Sequence, residues 1–341
     1  MPFSSKNLTF AVVKTESTAG TPEWDLSASF PADADFKNRL YDIEVSPEIE
    51  FDEDVANIAT GDHGELSGLT GKQSATITFS FPLHWGGAAA TSPNWSNILA
   101  ACGLYENAYT TTGIGWQPLK QMDASTLTIT VFNMDLGGAT PNSTGYLFAG
   151  CAGNAVISAE NNGKFNVQCT FKGKFVDVVA VANANIPETT GFQTPLAEKL
   201  LNASCTINSV AQCISGFSLD LGNDVQPIIC QSEATGYESF YIASRKPRFS
   251  CNPLQKVVGD DDVYARLLAD SNYPMTMVTA SSQITVYAPR AQLMPYTIAE
   301  REGLVNHEQN YILQRNNNGA AAILATIPDE ATFEILQGAR A

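Results

Sequence analysis

The stretch that decides the fold is residues 41–104, where an acidic segment, a glycine-rich segment, an alternating segment and a capped apolar segment follow one another. The acidic segment is YDIEVSPEIEFDEDV at 41–55, and the glycine-rich segment is GDHGELSGLTG at 61–71. The alternating segment is KQSATITFSFPL at 72–83, and its period of two is typical of a half-buried strand. We expect one face of this strand to carry Thr76, Thr78 and Ser80, and the opposite face to carry Ala75, Ile77, Phe79 and Phe81.

A short helix is predicted directly after this strand, in SPNWSNILAACGL at 92–104. Ser92 followed by Pro93 is typical of an N-cap with proline at the first helical position. Gly103 stands where a glycine commonly ends a helix. Apolar residues recur between these ends at helical spacing, which predicts a helix that packs one side against a sheet. The residues of that apolar side are Trp95, Ile98, Leu99 and Cys102.

The composition favours strands and turns, because charged residues make up only 16% of the 341 residues and Gly, Thr, Ser and Asn are plentiful. The formal net charge of −16 argues against a protein that grips nucleic acid, since phosphate binding needs a basic surface. It is compatible with a protein past which DNA slides, because an acidic wall repels phosphates. The length favours two domains, with one large β domain as the alternative.

The seven cysteines are odd in number and scattered, with no CxxC pair. We therefore interpret them as small core residues in a reducing compartment rather than as a disulfide framework. The N-terminal residues lack the pattern of a secretory signal, and no segment is apolar enough to suggest a membrane span. These features predict a cytosolic protein with no membrane association.

We divide the chain into an N-terminal arm with a first strand at 1–40, a first domain at 41–182, a linker at 183–203 and a second domain at 204–341. The arm is polar and has no sustained period, so we expect it to lie on another surface or to be disordered. Its apolar residues favour docking, because a disordered arm gains nothing from them. They are Trp24, Leu26 and Phe30.

A second helix is predicted in GDDDVYARLLADS at 259–271, since three aspartates stand where the helix dipole favours carboxylates. We expect Val263, Leu267 and Leu268 to form its apolar side. The remaining segments alternate in the manner of strands, and NNG at 161–163 indicates a hairpin turn. The predicted fold class is therefore mainly β (α+β), with one flanking helix in each domain.

The order of elements in the two domains suggests a duplication, although residue identity between them is low. The strand KQSATITFSFPL corresponds to ESFYIASRKPRFSCNPL at 238–254, and a helix follows each. After the helix, STLTITVF at 125–132 corresponds to SSQITVY at 281–287, and the hairpin around NNG at 161–163 corresponds to one around NNNG at 316–319. Chance agreement is the alternative explanation.

Residues suited to enzyme chemistry are sparse. His63 lies near Asp62 and Glu65, which could form a general-base pair or a metal-ligand set, but a solvated acidic loop is the favoured interpretation. The acidic run at 52–54 lacks EF-hand spacing, and the chain contains no P-loop, Rossmann or GxSxG pattern. We therefore expect neither an enzyme nor a protein with a cofactor or catalytic metal.

Several of these segments resemble the tail tube (major tail) proteins of long-tailed bacteriophages. They are PEIEFDEDV at 47–55, SPNWSNILAACGL at 92–104, ITVF at 129–132 and AGCAGNAVISAENNGKFNVQCTFKGKF at 149–175. In the second domain, FSLDLGNDVQP at 217–227 and SRKPRFS at 244–250 are similar to the continuation found in longer members. The resemblance spans residues 40–341.

The resemblance implies two tandem tail-tube-like β-sandwich or barrel domains in a structural virion protein of the phage tail, assembled in the host cytoplasm. Such two-domain subunits form trimeric, pseudo-hexameric rings that stack into a tube around a lumen. It also implies other tail proteins as partners: a tape measure inside, and terminator and tip proteins at the ends. DNA would pass through the lumen without specific binding.

The glycine-rich loop and the N-terminal arm are the candidate docking elements between rings, because their small and polar residues can adapt on contact. The loop residues are Gly61, Asp62, His63, Gly64, Glu65, Leu66, Ser67 and Gly68. The alternative function is a carbohydrate-binding or adhesin-like β protein on a virion surface. In that protein, Trp85, Trp95 and Trp116 would form a stacking platform for sugars.

Overall fold

The structure is a computed structural model that describes residues 9–24, 36–38, 41–52, 69–86, 88, 91–109, 113–118, 125–133, 142–160, 163–182, 198–279, 284–315 and 332–338. These residues form strands with two short helices, so the mainly β fold class is confirmed. We call residues 9–182 the first half and residues 198–338 the second half.

The elements of the first half are β1 (Thr9–Thr15), β2 (Phe36–Asn38), β3 (Tyr41–Asp52), β4 (Leu69–Pro82), α1 (Ser96–Ala101), β5 (Leu104–Tyr109), β6 (Gly113–Pro118), β7 (Leu127–Asn133), β8 (Asn142–Glu160) and β9 (Asn166–Ala182). Those of the second half are β10 (Ser204–Ile207), β11 (Val210–Gln212), β12 (Ile214–Asp220), β13 (Asn223–Ile229), β14 (Tyr237–Arg245), β15 (Arg248–Pro253), α2 (Val263–Leu268), β16 (Asn272–Val278), β17 (Ile284–Leu293), β18 (Thr297–Arg301), β19 (Leu304–Leu313) and β20 (Glu334–Gly338).

The first half is an antiparallel sheet in the order β2-β1-β7-β8-β9-β4-β3. The alternation predicted for 72–83 is confirmed in β4, because Ala75, Ile77, Phe79 and Phe81 are buried. Thr76 and Thr78 lie half-buried on the opposite face, although Ser80 on that face is also buried. The predicted hairpin around 161–163 is confirmed by the long pairing of β8 with β9.

The second half repeats this order of pairing as β11-β10-β16-β17-β19-β15-β12, again antiparallel. In the first half α1 lies between β4 and β7 along the chain, and in the second half α2 lies between β15 and β16. By this correspondence β1, β3, β4, β7 and β9 match β10, β12, β15, β16 and β19. The part of β8 that pairs with β7 matches β17, and its continuation along β9 matches β18, which continues along β19. The strand that matches β7 is thus β16, whereas the sequence comparison had assigned residues 281–287.

The two halves also share a β-bulge. Leu127 lies opposite Cys151 and Ile129 lies opposite Phe148, so β8 holds one extra residue against β7. Tyr273 lies opposite Ala291 and Met275 lies opposite Ala288, so β17 holds one extra residue against β16. A bulge re-aims the strand that carries it, and its recurrence at matching positions shows that the halves bend in the same way.

One hydrophobic core extends through both halves. Its buried side chains come from β1, β4, β7, β8, β9 and α1 and also from β10, β12, β15, β16, β17, β19 and β20. Strand β20 pairs with β6 on one side and with β17 on the other, so the end of the described chain also links the halves. Among the described strands, all except β13 and β14 belong to one hydrogen-bonded network.

Several predicted details are wrong. Helix α1 begins at Ser96 with Trp95 at the N-cap position, and the hydroxyl of Ser92 instead donates to the carboxylate of Glu106. The residues 93–95 form a turn before the helix, because the amide of Ser96 donates to the carbonyl of Pro93 at 3.0 Å. Gly103 is confirmed in the left-handed conformation that ends the helix, with a φ of 76°.

In the second half, the turn and the second strand of the predicted hairpin around 316–319 lie outside the described residues, which resume at 332. Strands β19 and β20, on either side of this gap, both pair with β17. In helix α2 Leu268 is 66% exposed, while Val263 is buried and Leu267 is half-buried. Arg266, rather than Leu268, lies on the buried side of the helix.

The cysteines follow the prediction only in part. None of the seven forms a disulfide, and Cys102, Cys151, Cys169, Cys205 and Cys251 are buried. Cys213 is exposed and Cys230 is half-buried, so these two are not core residues. Burial raises the pKa of the Cys205 thiol to about 12, which keeps it protonated and unreactive at neutral pH.

Candidate assembly interface

The two halves are joined edge to edge by β8 and β12. Val156 to Glu160 of β8 lie antiparallel to Gly216 to Asp220 of β12, with Ala159 directly opposite Phe217. Both of these side chains are buried, and the Phe217 ring packs edge-on against Phe165 at 5.0 Å. The junction therefore continues the sheet of the first half into the second and buries apolar side chains as it does so.

A polar network fixes the register of this junction. The amide of Asn154 donates a 2.8 Å hydrogen bond to the carboxylate of Asp220. The backbone N–H of Asn223 donates to the side-chain oxygen of Asn154 at 3.0 Å. Because these bonds tie β8 to the end of β12 at one point, they specify one alignment of the two strands.

The result is one continuous sheet in the order β3-β4-β9-β8-β12-β15-β19-β18. Its two outer strands are β3 and β18, and among the described residues each pairs on one edge only. Pro47 lies within β3, which suits an edge strand because proline cannot donate to a second ladder. Unpaired strand edges of this kind are templates for pairing with another chain.

The open edge strand β3 is similar in sequence to β12, the strand that makes the junction inside the chain. YDIE at 41–44 and FSLD at 217–220 share an aromatic, a polar, an aliphatic and an acidic residue in the same order. The ladders differ in this segment, because a β-bulge separates Tyr41, opposite Ser80, from Glu44, opposite Thr78, whereas Phe217 to Asp220 pair with Cys251 to Arg248 without one. Strand β3 therefore shares the side-chain order of the strand that pairs with β8.

One face of the continuous sheet is polar, since alternate residues of each strand point away from the core. Across the junction, four neutral polar residues stand side by side in neighbouring strands. They are Ser158, Ser218, Ser250 and Asn310. Three of them, Ser218, Ser250 and Asn310, line a shallow groove together with Glu160, Asn252 and Glu308. This face thus presents hydroxyl, amide and carboxylate groups to water.

A second contact between the halves is made by the hairpin of β13 and β14, which lies across the first half. Val225, Phe240 and Ile242 of this hairpin pack with Ala152 of β8 in a small apolar cluster. At the tip of the hairpin the carbonyl of Thr235 accepts from the backbone N–H of Gln73 at 3.0 Å. Glu233 forms a 3.2 Å ion pair with Lys174 of β9.

The base of this hairpin contacts the end of helix α1. The guanidinium of Arg245 donates to the carbonyl oxygens of Cys102 and Gly103 at 3.2 and 2.8 Å, and to the side chain of Asn223 at 2.7 Å. Asn223 in turn donates to the carbonyl of Cys102 at 2.7 Å. A cation at a helix C-terminus is favoured by the helix dipole. Burial lowers the pKa of Arg245 to about 10, so the side chain remains charged at neutral pH.

The matching hairpin of the first half, formed by β3 and β4, has no such cover among the described residues. Strand β3 matches β12 together with its continuation β13. When Glu44 is aligned with Asp220, Ile49 takes the position of Val225. Val225 is 9% exposed, but Ile49 is 48% exposed and its neighbour on the same face, Phe51, is 58% exposed. On the other outer strand, Ile298 of β18 is 65% exposed.

The predicted arm is held on the protein's own surface as far as it is described. Trp24 is buried, and its indole N–H donates to the hydroxyl of Thr130 in β7 at 2.7 Å. The carboxylate of Glu16 accepts from the hydroxyl of Thr126 at 2.6 Å and from the backbone N–H of Gly150 at 2.7 Å. Leu26 and Phe30 lie outside the described residues, as does the whole candidate docking loop at 61–68.

The predicted helix residues divide between core and surface. Trp95, Ile98 and Leu99 are fully buried in the main core, so α1 is an integral part of the core rather than an outer layer. Beneath α2, Arg266 and Asp261 form a buried ion pair of 3.0 Å, and Gln212 donates to the same carboxylate at 2.9 Å. The sequence analysis did not identify this pair, nor Arg245 and Asn223.

The proposed sugar platform is wrong for two of its three tryptophans. Trp95 and Trp116 are buried and pack against each other with ring centroids 4.5 Å apart, so neither can stack on a ligand. His63 lies outside the described residues, and His84 and His307 are buried. Within the described part of the chain, no cluster of three or more His, Cys, Asp or Glu side chains could hold a metal ion.

Comparison with known proteins gives no match to any protein-family model and no match to any curated protein sequence. A search of the described helices for a long apolar segment able to cross a membrane finds none.

Proposed function

We propose that this protein is a self-assembling structural subunit of a bacteriophage tail tube, in which three copies form a ring and rings stack into a conduit for DNA. The observation that supports this proposal is the junction of β8 with β12, which joins two halves of matching strand order into one sheet. That sheet ends on both sides in an unpaired edge strand, and one of them, β3, matches the strand that makes the junction.

The ring follows if the junction is repeated between chains. Strand β18 of one copy would pair with β3 of the next, as β8 pairs with β12 inside the chain. A heterologous contact of this kind generates a closed ring when the rotation between copies closes. Closure would also remove the exposed edges that otherwise invite uncontrolled association.

The polar face of the continuous sheet suits the wall of a DNA conduit. Its central row carries serine and asparagine, and acidic residues flank that row. Beside this row Arg248 stands opposite Asp220, and neutral or acidic groups surround the pair, so phosphates meet no cluster of cations and DNA would pass without adhering. In this proposal the protein has a structural, non-enzymatic role in the virion tail, with a tape measure protein inside the tube and terminator and tip proteins at its ends.

Electron microscopy of the purified full-length protein tests the proposal. We expect rings or tubes whose rings contain three chains, each contributing two matching halves. Sedimentation velocity over a range of salt concentrations gives an independent measure of association. A protein that stays monomeric under every condition would overturn the proposal, and rings of six chains would contradict the role of the repeated strand order.

A further inference from the structure

We propose that the hairpin of β3 and β4 docks its apolar end, Ile49 and Phe51, on the second half of a neighbouring copy of this chain. This inference rests on the proposed self-assembly and adds a specific lateral contact to it. The template for the contact is inside the chain, where the matching hairpin of β13 and β14 lies across the first half.

The two hairpins have the same construction. Within the second half, the register of β12 with β15 carries on into β13 with β14 across Gly222, whose φ is 63°, since Asp220 lies opposite Arg248 and Asn223 lies opposite Arg245. In the first half, β3 and β4 form one strand pair with β-bulges between Tyr41 and Glu44 and between Ile49 and Phe51. In both halves an apolar strand face extends beyond the core of that half. It reaches Val225 on β13 in the second half, and Ile49 and Phe51 on β3 in the first half.

The difference between the hairpins is what covers that face. Val225 packs with Phe240, Ile242 and Ala152, and the last of these belongs to the other half of the chain. Ile49 and Phe51 are about half exposed in a single copy, as two neighbouring apolar side chains on an edge strand. A large exposed apolar pair at the position of a buried one indicates a surface that is buried by association.

The strand edge beside the receiving face shows the complementary difference. Inside the chain the hairpin of β13 and β14 packs on Ala152 of β8, and β12 pairs with the end of the same strand, where Ala159 is 3% exposed. Ile298 of β18 stands at the matching place in the second half, opposite His307 as β8 residues stand opposite β9, and it is 65% exposed. The uncovered hairpin and the uncovered edge therefore lie at opposite ends of the continuous sheet, where head-to-tail association of identical copies would bring them together.

The test replaces the exposed apolar pair by two anionic side chains, Ile49→Asp with Phe51→Asp, in the full-length protein. Both side chains are largely solvated in a single copy, so the folded monomer tolerates the change, and circular dichroism and a thermal melt verify this. We expect the protein concentration at which half of the chains are assembled to be at least about tenfold higher than for the wild type, because two apolar side chains can no longer be buried. Sedimentation velocity and electron microscopy measure it.

Tyr105→Asp is the matched control. Tyr105 is 54% exposed, but it lies on β5, for which the described residues of the second half hold no counterpart between α2 and β16. We expect this variant to assemble as the wild type does. A second measurement uses Phe51→Trp, whose fluorescence should shift to shorter wavelength on assembly as the indole leaves water, whereas Tyr105→Trp should not shift.

The outcomes separate this inference from the proposed function. Loss of assembly in the double variant, with normal assembly of the Tyr105 variant and a blue shift for Phe51→Trp, supports the docking surface. Rings that form normally in the double variant overturn the docking surface and leave the tube proposal standing. A wild-type protein that forms no rings overturns both.

Discussion

The guanidinium of Arg245 donates a 2.8 Å hydrogen bond to the carbonyl oxygen of Gly103, and this bond joins the second half of the chain to the end of α1 in the first. Gly103 must be a glycine here for two reasons. Its φ is 76°, and a Cβ would lie 2.1 Å from the Arg245 guanidinium. The helix end and the arginine therefore form one contact that holds the hairpin of β13 and β14 in place.

Replacement of Arg245 tests this contact. We expect Arg245→Ala to lower the free energy of unfolding by about 2 kcal/mol, because buried carbonyl oxygens lose a charged donor. Arg245→Lys should recover part of this loss, since lysine keeps the charge but not the planar set of donors. Chemical denaturation followed by circular dichroism measures both. Arg290→Ala is the control. Its guanidinium makes an exposed 3.5 Å contact with the Arg315 carbonyl, so this variant should leave stability unchanged.

The three consecutive aspartates before α2 should differ sharply in their effect on stability. We expect Asp261→Ala to cost about 3–5 kcal/mol, because it leaves Arg266 as a buried charge without its partner. Asp262→Ala should cost about 1 kcal/mol, since the Asp262 carboxylate caps the helix by accepting from the backbone N–H of Ala265 at 2.8 Å.

Asp260 supplies the internal control for this series, because it is exposed. Asp260→Ala should change the free energy of unfolding by less than about 0.5 kcal/mol. Thermal and urea denaturation of the three variants under identical conditions gives the ranking. Equal effects at the three positions would contradict the assignment of the buried ion pair to Asp261.

Docking of the arm can be measured through Trp24 and Thr130. A double-mutant cycle with Trp24→Phe and Thr130→Val should give a coupling energy of about 1 kcal/mol, as expected for one buried hydrogen bond. The denaturation midpoints of the two single variants and the double variant provide it. Additive effects would show that the arm is held by contacts other than this bond.

Disulfide cross-linking tests the register of the junction between copies. Suppose that β18 of one copy pairs with β3 of the next as β8 pairs with β12 inside the chain. Ile298 then takes the place of Ala159 and Tyr41 of the neighbouring copy takes the place of Phe217, so Ile298 and Tyr41 lie opposite each other. Residues directly opposite in an antiparallel pair are close enough for a disulfide. In a background with Cys213→Ser and Cys230→Ser, Ile298→Cys with Tyr41→Cys should form covalent dimers and trimers on oxidation.

The largest covalent species on a gel distinguishes a closed ring from an open array. A closed ring of three chains gives no species larger than a trimer, whereas an open helical array gives a longer ladder. The pair Ile298→Cys with Tyr105→Cys serves as the control and should remain uncross-linked. Absence of any covalent dimer from the first pair, when rings are visible by microscopy, would rule out this register.

Local pattern was sufficient to predict β4, the hairpin of β8 with β9 and the end of α1, but not β5 and β6, whose sequence does not alternate. Strand β4 could be predicted from its alternation because one face of that strand is buried, so apolar and polar residues must alternate. The end of α1 was readable because only glycine readily adopts the left-handed conformation at Gly103. The start of α1 was not, since the Ser92 hydroxyl has a partner far along the chain, Glu106, that a local rule does not include.

Exposure of single side chains was predicted less well. Leu268 fits an apolar stripe by spacing but is exposed, and Arg266 is buried because Asp261 and Gln212 lie beside it. Periodicity reports which residues share a helix face, but it does not report what another segment brings to that face. The similarity of YDIE at 41–44 to FSLD at 217–220 is present in the sequence, but that β3 lies at a sheet edge follows only from the strand pairings.

The sequence by itself determined that the chain is rich in strands, that two short helices stand at corresponding places, and that strong turns occur near 103 and 163. These properties follow from side-chain periodicity and backbone conformation, which act over a few residues. Only the tertiary structure decided that β8 pairs with β12, that β16 rather than β17 matches β7, and that Arg245 contacts the end of α1. Strand partners come from distant parts of the chain, and their choice depends on which edges and apolar faces remain uncovered once the local elements have formed.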